Sequence, residues 1–64
     1  MEEKTYRFKR VLKNGTFFFS TLPFANIGDV FSAAHNTAME ELDVYCIDVY
    51  DGDMLLARFF RVVY

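Results

Sequence analysis

Apolar and polar residues alternate from Thr5 to Leu12. Tyr6, Phe8, Arg10 and Leu12 share one face of an extended chain, and Thr5, Arg7, Lys9 and Val11 share the other. A period of two marks a half-buried strand. Thr16 to Leu22 reads as a second strand, and Lys13-Asn14-Gly15-Thr16 separates the two. Asn-Gly between two such runs favours a type I′ hairpin turn. That turn sets Leu12 opposite Phe17, Val11 opposite Phe18 and Arg10 opposite Phe19. One face then carries Tyr6, Phe8, Leu12, Phe17 and Phe19, and the other Arg7, Lys9, Val11, Phe18, Ser20 and Leu22. Pro23, with no N–H for a ladder, ends the strand.

The period then changes. Ile27, Val30, Phe31, Ala34, Ala38 and Leu42 recur at spacings of three and four, the stripe of an amphipathic helix over about 27–42. Asn26 is the N-cap candidate, with Asp29 three residues on; Asp29 as the cap is the alternative. Ala33, Ala34 and Ala38 are small enough for close approach to a sheet, and no glycine marks the helix exit. Val44 to Tyr50 and Met54 to about Val63 read as two more strands around Asp51-Gly52-Asp53. A two-residue Asp51-Gly52 loop pairs Tyr50 with Asp53, and a three-residue loop pairs it with Met54. The choice flips every side chain between faces, so the faces of this hairpin stay open.

These elements predict a single α+β domain over 1–64, β-β-α-β-β, in which a four-stranded antiparallel sheet carries one helix on one face. The strands fall at about 5–12, 16–22, 44–50 and 54–63. The last strand is the least amphipathic and so belongs inside, in the order 2-1-4-3. One helix covers one sheet face. The other face is then expected to show Val11, Phe18, Leu22 and one of Phe59 or Phe60, and an apolar patch of that kind marks an interaction site.

Composition narrows the function. The chain has 64 residues, 53% hydrophobic and 19% aromatic, too apolar for disorder. A domain this small needs help to be stable. One cysteine allows no internal disulfide, and no Cys/His set suits a structural zinc. A dense core or a homodimer remains. The net charge of −2 argues against general nucleic-acid affinity. Its distribution is uneven. Lys4, Arg7, Lys9, Arg10 and Lys13 crowd the first hairpin, and Glu40, Glu41, Asp43, Asp48, Asp51 and Asp53 lie together further on. Residues 2–10 are charged and no apolar stretch follows, so no secretion signal is expected. No run reaches the roughly 18 apolar residues that cross a bilayer. The expectation is a soluble cytoplasmic protein with Cys46 reduced.

Candidate chemistry is sparse. Cys46 lies mid-strand among apolar neighbours with acidic residues nearby, the setting of a structural cysteine rather than a nucleophile. His35 reads as a surface histidine. Asp48, Asp51 and Asp53 lack the spacing of a calcium loop, and Asp-Gly-Asp is what a tight turn takes. No glycine-rich phosphate loop is present. In size, compactness, acidity and mixed β/α order the chain is similar to several small inhibitors encoded by bacteriophages. That likeness is one of style rather than motif, and it implies an inhibitor or regulator.

The resulting expectation is a non-enzymatic protein-binding module without cofactor or metal, acting as a homodimer. It would work through an apolar sheet face or strand edge, with Arg7, Lys9, Phe18, Leu22, Asp51, Asp53, Arg58, Phe59 and Phe60 as contact candidates. The alternative is a small nucleic-acid-binding protein that uses the basic, aromatic first hairpin.

Overall fold

The computed structural model describes residues 3–61. Its elements are β1 (Lys4–Leu12), β2 (Phe17–Phe24), α1 (Ile27–Glu40), β3 (Val44–Asp51) and β4 (Met54–Phe60). The strands form one antiparallel sheet in the order β2-β1-β3-β4, with α1 on one face. This is the expected α+β fold with a different strand order. β3 is inner and β4 is an edge, the reverse of the 2-1-4-3 order. β2 and β3 are both antiparallel to β1. They therefore run parallel to each other, which is why a helix joins them as a crossover.

The first hairpin departs from the type I′ expectation. Leu12 N–H donates to the Thr16 carbonyl (2.8 Å) and Gly15 N–H to the Leu12 carbonyl (3.0 Å). Gly15 alone takes a positive φ, +90°, and Asn14 does not. The loop is thus three residues, Lys13-Asn14-Gly15, with glycine at its left-handed position. The Asn14 side chain accepts from Thr16 N–H (2.9 Å) and steadies it. The extra loop residue slips the register by one. Val11 now faces Phe17, Arg10 faces Phe18 and Lys9 faces Phe19. A slip of one reverses every side chain of β2. Phe18, Ser20 and Leu22 turn to the helix side, and Phe17 and Phe19 turn to the open side. β2 also continues through Pro23 to Phe24. On an edge strand, a proline with its missing N–H toward solvent breaks no ladder bond.

The second hairpin takes neither register considered above. Asp51 pairs with Met54 and Tyr50 with Leu55, so the loop is Gly52-Asp53. Gly52 has φ +60°, and no described non-glycine residue has positive φ. Glycine at the first of two loop positions is the pattern of a type II′ turn.

The helix starts where the sequence says. Asn26 Oδ1 accepts from Asp29 N–H (2.9 Å), and Asn26 Nδ2 donates to the Asp29 carboxylate (3.0 Å). The helix ends at Glu40, two residues early, because Glu41 is already extended. Leu42 is left exposed. The missing C-terminal signal comes from far along the chain. Arg61 Nη1 donates to the carbonyls of Met39 (3.3 Å) and Glu41 (3.1 Å), where a cation also suits the helix dipole.

The core lies between α1 and the sheet. Val30, Ala34 and Ala38 of the helix meet Tyr6 and Phe8 of β1 and Val44, Ile47 and Val49 of β3. The alanines let the helix sit close. Each buried valine or isoleucine contributes roughly 1.5–3 kcal/mol. Phe31 and Phe59 extend this layer, their ring centroids 5.7 Å apart. The helix lies mainly over β3 and β4. It leaves a groove of ≈ 160 Å³ beside β2, lined by Phe8, Arg10, Ser20, Leu22, Ala33, Thr37 and Ile47.

Candidate binding face

The sheet face away from α1 is built from alternate positions of all four strands. β1 supplies Arg7, Lys9 and Val11, and β2 supplies Phe17 and Phe19. β3 adds Cys46, Asp48 and Tyr50, and β4 adds Leu55, Arg58 and Phe60. A bulge opposite Val11 and Leu12 makes Tyr45 an extra residue of β3. Val44 can then turn into the core while the exposed Tyr45 ring packs edge-on against Phe60 at 5.5 Å.

Rings and cations interleave across this face. Phe17 and Phe19 meet edge to face at 5.8 Å, and Phe19 lies 6.4 Å from Tyr50. The Arg7 guanidinium sits 4.4 Å from the Phe19 ring centre, and Lys9 Nζ sits 4.6 Å from that of Phe17. These are cation–π distances. Phe17, Phe19 and Phe60 nevertheless stay 52, 46 and 48% exposed.

The centre of the face is polar and fixed. Asp48 is 1% exposed. Arg58 grips it with both arms of its fork, Nε to Oδ1 at 2.7 Å and Nη2 to Oδ2 at 3.0 Å. A buried carboxylate needs such partners, and bidentate arginine is the strongest of them. The hydrogen bonds and charge of Asp48 hold the Arg58 guanidinium above its usual pKa. Beside them, Cys46 Sγ lies 3.9 Å from Asp48 Oδ1. Burial, and then the Asp48 charge, push the Cys46 thiol pKa up. A buried thiol kept protonated beside a carboxylate is the opposite of an activated nucleophile. His35 is exposed on the helix. Among the described residues no group of three His, Cys, Asp or Glu side chains is arranged to hold a metal ion, and no helix is long and apolar enough to cross a membrane.

The expected contact residues are therefore divided. Arg7, Lys9, Arg58 and Phe60 come together on the open face. Phe18 and Leu22, expected there with Val11, lie on the helix side because of the hairpin slip. Phe59 points to the helix, so the pair Phe59/Phe60 does split one ring in and one out. Asp51 and Asp53 sit at the β3–β4 turn, away from the face. Asp51 is paired with Lys4, and its hydrogen bond and charge raise the Lys4 pKa. Sequence reasoning put Phe17 and Phe19 on the apolar face with Tyr6 and Phe8, and did not single out Tyr45 and Tyr50. The first two were recoverable from the three-residue reading of Lys13-Asn14-Gly15. Tyr45 depends on a bulge that nothing in the sequence announces.

The face thus sets three cations against one carboxylate, and that carboxylate is buried and already paired. No protein-family model, curated protein or solved structure matches the chain.

Proposed function

We propose that this is a non-enzymatic binding module that acts as a homodimer and uses its open sheet face to hold another protein. One observation carries the reading: Phe17, Phe19, Tyr45 and Phe60 stand half-exposed on one face, with the more buried Tyr50 between them, beside Arg7, Lys9 and Arg58. Aromatic and arginine side chains are the residues that dominate binding energy at protein interfaces. The excess of cations suits a partner surface that is apolar at its centre and acidic at its rim. Arg7 and Lys9, set against the Phe19 and Phe17 rings, and the β-sheet backbone order these side chains before a partner arrives, which lowers the ordering cost of binding. A small inhibitor or regulator in the cytoplasm is the role that fits such a surface, and it suits the lone reduced Cys46.

Affinity capture from the native cell, with the wild type beside Phe60→Ala and Arg7→Glu/Lys9→Glu variants, tests the reading. We expect a protein retained by the wild type and lost from both folded variants. Equal retention by all three would remove the open face from consideration. A second reading, single-stranded nucleic acid, is favoured by the exposed rings next to Arg7 and Lys9, since bases stack on such rings while cations hold phosphates. It requires salt-dependent binding of labelled oligonucleotides. Absence of binding at low salt excludes it.

A further inference from the structure

The strand that fits its position least is β2. Phe17–Phe24 holds no charged residue. Phe17 and Phe19 point to one face and Phe18 and Leu22 to the other, all of them about half exposed. A strand apolar on both faces belongs in the middle of a sheet, and natural sheets avoid a long uncharged edge. The helix does not shield it, because α1 leaves the groove beside β2 open.

The hairpin shows which backbone groups are free. Leu12 N–H donates to the Thr16 carbonyl, so Leu12 and Thr16 form a hydrogen-bonded pair. Alternation along an antiparallel ladder turns the N–H and C=O groups of Phe17, Phe19 and Thr21 away from β1. Pro23 has the same parity, so its missing N–H falls on the outer side.

From this we infer that β2 is the seam of the homodimer, with two copies pairing antiparallel about Ser20 into one eight-stranded sheet. This deepens the homodimer part of the reading above by naming the surface; it shares Phe17 and Phe19 with the open face and leaves Tyr45, Arg58 and Phe60 at the far side of that face for the partner. The strand is complementary to itself in this register. Phe18 meets Leu22 of the second copy on the helix side. Phe19 meets Thr21 of the second copy on the open side, where their outward N–H and C=O groups exchange bonds. Pro23 lies at the end of the seam, where its lost donor costs least.

The other ways of pairing two copies are worse. Stacking the open faces would press Arg7, Lys9 and Arg58 of both copies into one layer. The β4 edge is bulged at Leu56, opposite Val49 and Tyr50 of β3, and carries Arg58, both of which blunt an edge. At the β2 seam, Lys9 and Arg7 of the second copy stand three strands apart, about 14 Å, beyond the screening length of roughly 8 Å in physiological salt.

The area places this interface among the small, weak ones. Rings of about 150–250 Å² each, half exposed at Phe17, Phe18 and Phe19, bury on the order of 300 Å² per copy before Leu22 and the backbone are added. The total falls below the roughly 1,200–2,000 Å² of tight complexes. The dimer should therefore dissociate in the micromolar range.

Sedimentation and hydrogen exchange on the full chain, from about 1 to 500 µM, decide the matter. The expected mass rises from 7.5 kDa to twice that. Exchange at the Phe17, Phe19 and Thr21 amides slows by tenfold or more over the same range. The Phe18, Ser20 and Leu22 amides, bonded to β1, stay protected throughout. Phe19→Lys should remain monomeric with an unchanged circular dichroism spectrum. If that variant unfolds, the wild-type exchange pattern decides alone. A monomer at all concentrations overturns both the seam and the homodimer. A dimer whose Phe17, Phe19 and Thr21 amides exchange freely overturns the seam only.

Discussion

Truncating Phe59 and Phe60 one at a time measures which face of β4 is buried. The two rings are neighbours in sequence and chemically identical, so their difference comes from environment alone. Phe59 faces Ile47 across the ladder and packs against Phe31 and the core. Removing a buried phenylalanine costs about 3–5 kcal/mol. Phe59 is only partly buried, so the low end, about 3 kcal/mol, applies. Phe60 is 48% exposed and touches Tyr45. Half of the roughly 1.5–3 kcal/mol of full burial gives about 1 kcal/mol. Urea denaturation of Phe59→Ala and Phe60→Ala should therefore differ by about 2 kcal/mol at equal m-value. A domain of this length holds on the order of 3–10 kcal/mol, so Phe59→Leu is the milder companion if Phe59→Ala does not fold. Equal costs, or a larger cost at Phe60, would mean that β4 is paired one residue out of register, and the open face as described would be wrong.

Three further outcomes follow from particular contacts. Asn26→Ala should cost about 1 kcal/mol and Asn26→Gly a few tenths, because Asn26 Oδ1 satisfies the Asp29 N–H; equal losses in denaturation would refute the cap. Cys46 binds its proton more tightly folded than unfolded, so its contribution is full below the ordinary pKa of 9.0 and is lost as pH rises through the higher folded value. Thermal melts should then show Cys46→Ala with a flatter alkaline decline than the wild type, and an unchanged slope sinks the assignment. Arg58→Ala strands the buried Asp48 carboxylate and should lower the urea midpoint, whereas adding Asp48→Asn should recover part of the loss. A double-mutant cycle that shows no coupling would separate the two residues.

Local rules carried much of the fold. The alternation of Thr5 to Leu12, the three-four spacing from Ile27 to Leu42 and the Asn26–Asp29 pair are short-range signals, and strand and helix formed there, the helix stopping at Glu40 short of Leu42. Strand order was not legible. The strand read over Met54 to about Val63 looked interior because it is the least amphipathic of the four. The inner strand proved to be the one with the buried carboxylate. Arg58, reaching across from β4, makes that burial tolerable. The candidate site was half legible for a related reason. Arg7 and Lys9 follow from strand parity, and the sequence splits Phe59 and Phe60 between faces without saying which turns outward, while Phe17 and Phe19 hang on whether one loop holds two residues or three.

The sequence alone determined four strands, one helix, their order along the chain, and an apolar surplus too large for one helix to cover. Those properties depend on residues within a turn or two of each other. Tertiary structure decided where the surplus lies. A left-handed Gly15, a bulge at Tyr45 and the Asp48–Arg58 clasp each shift or fix a register. In a sheet with a side-chain period of two, one residue of register is the difference between core and surface.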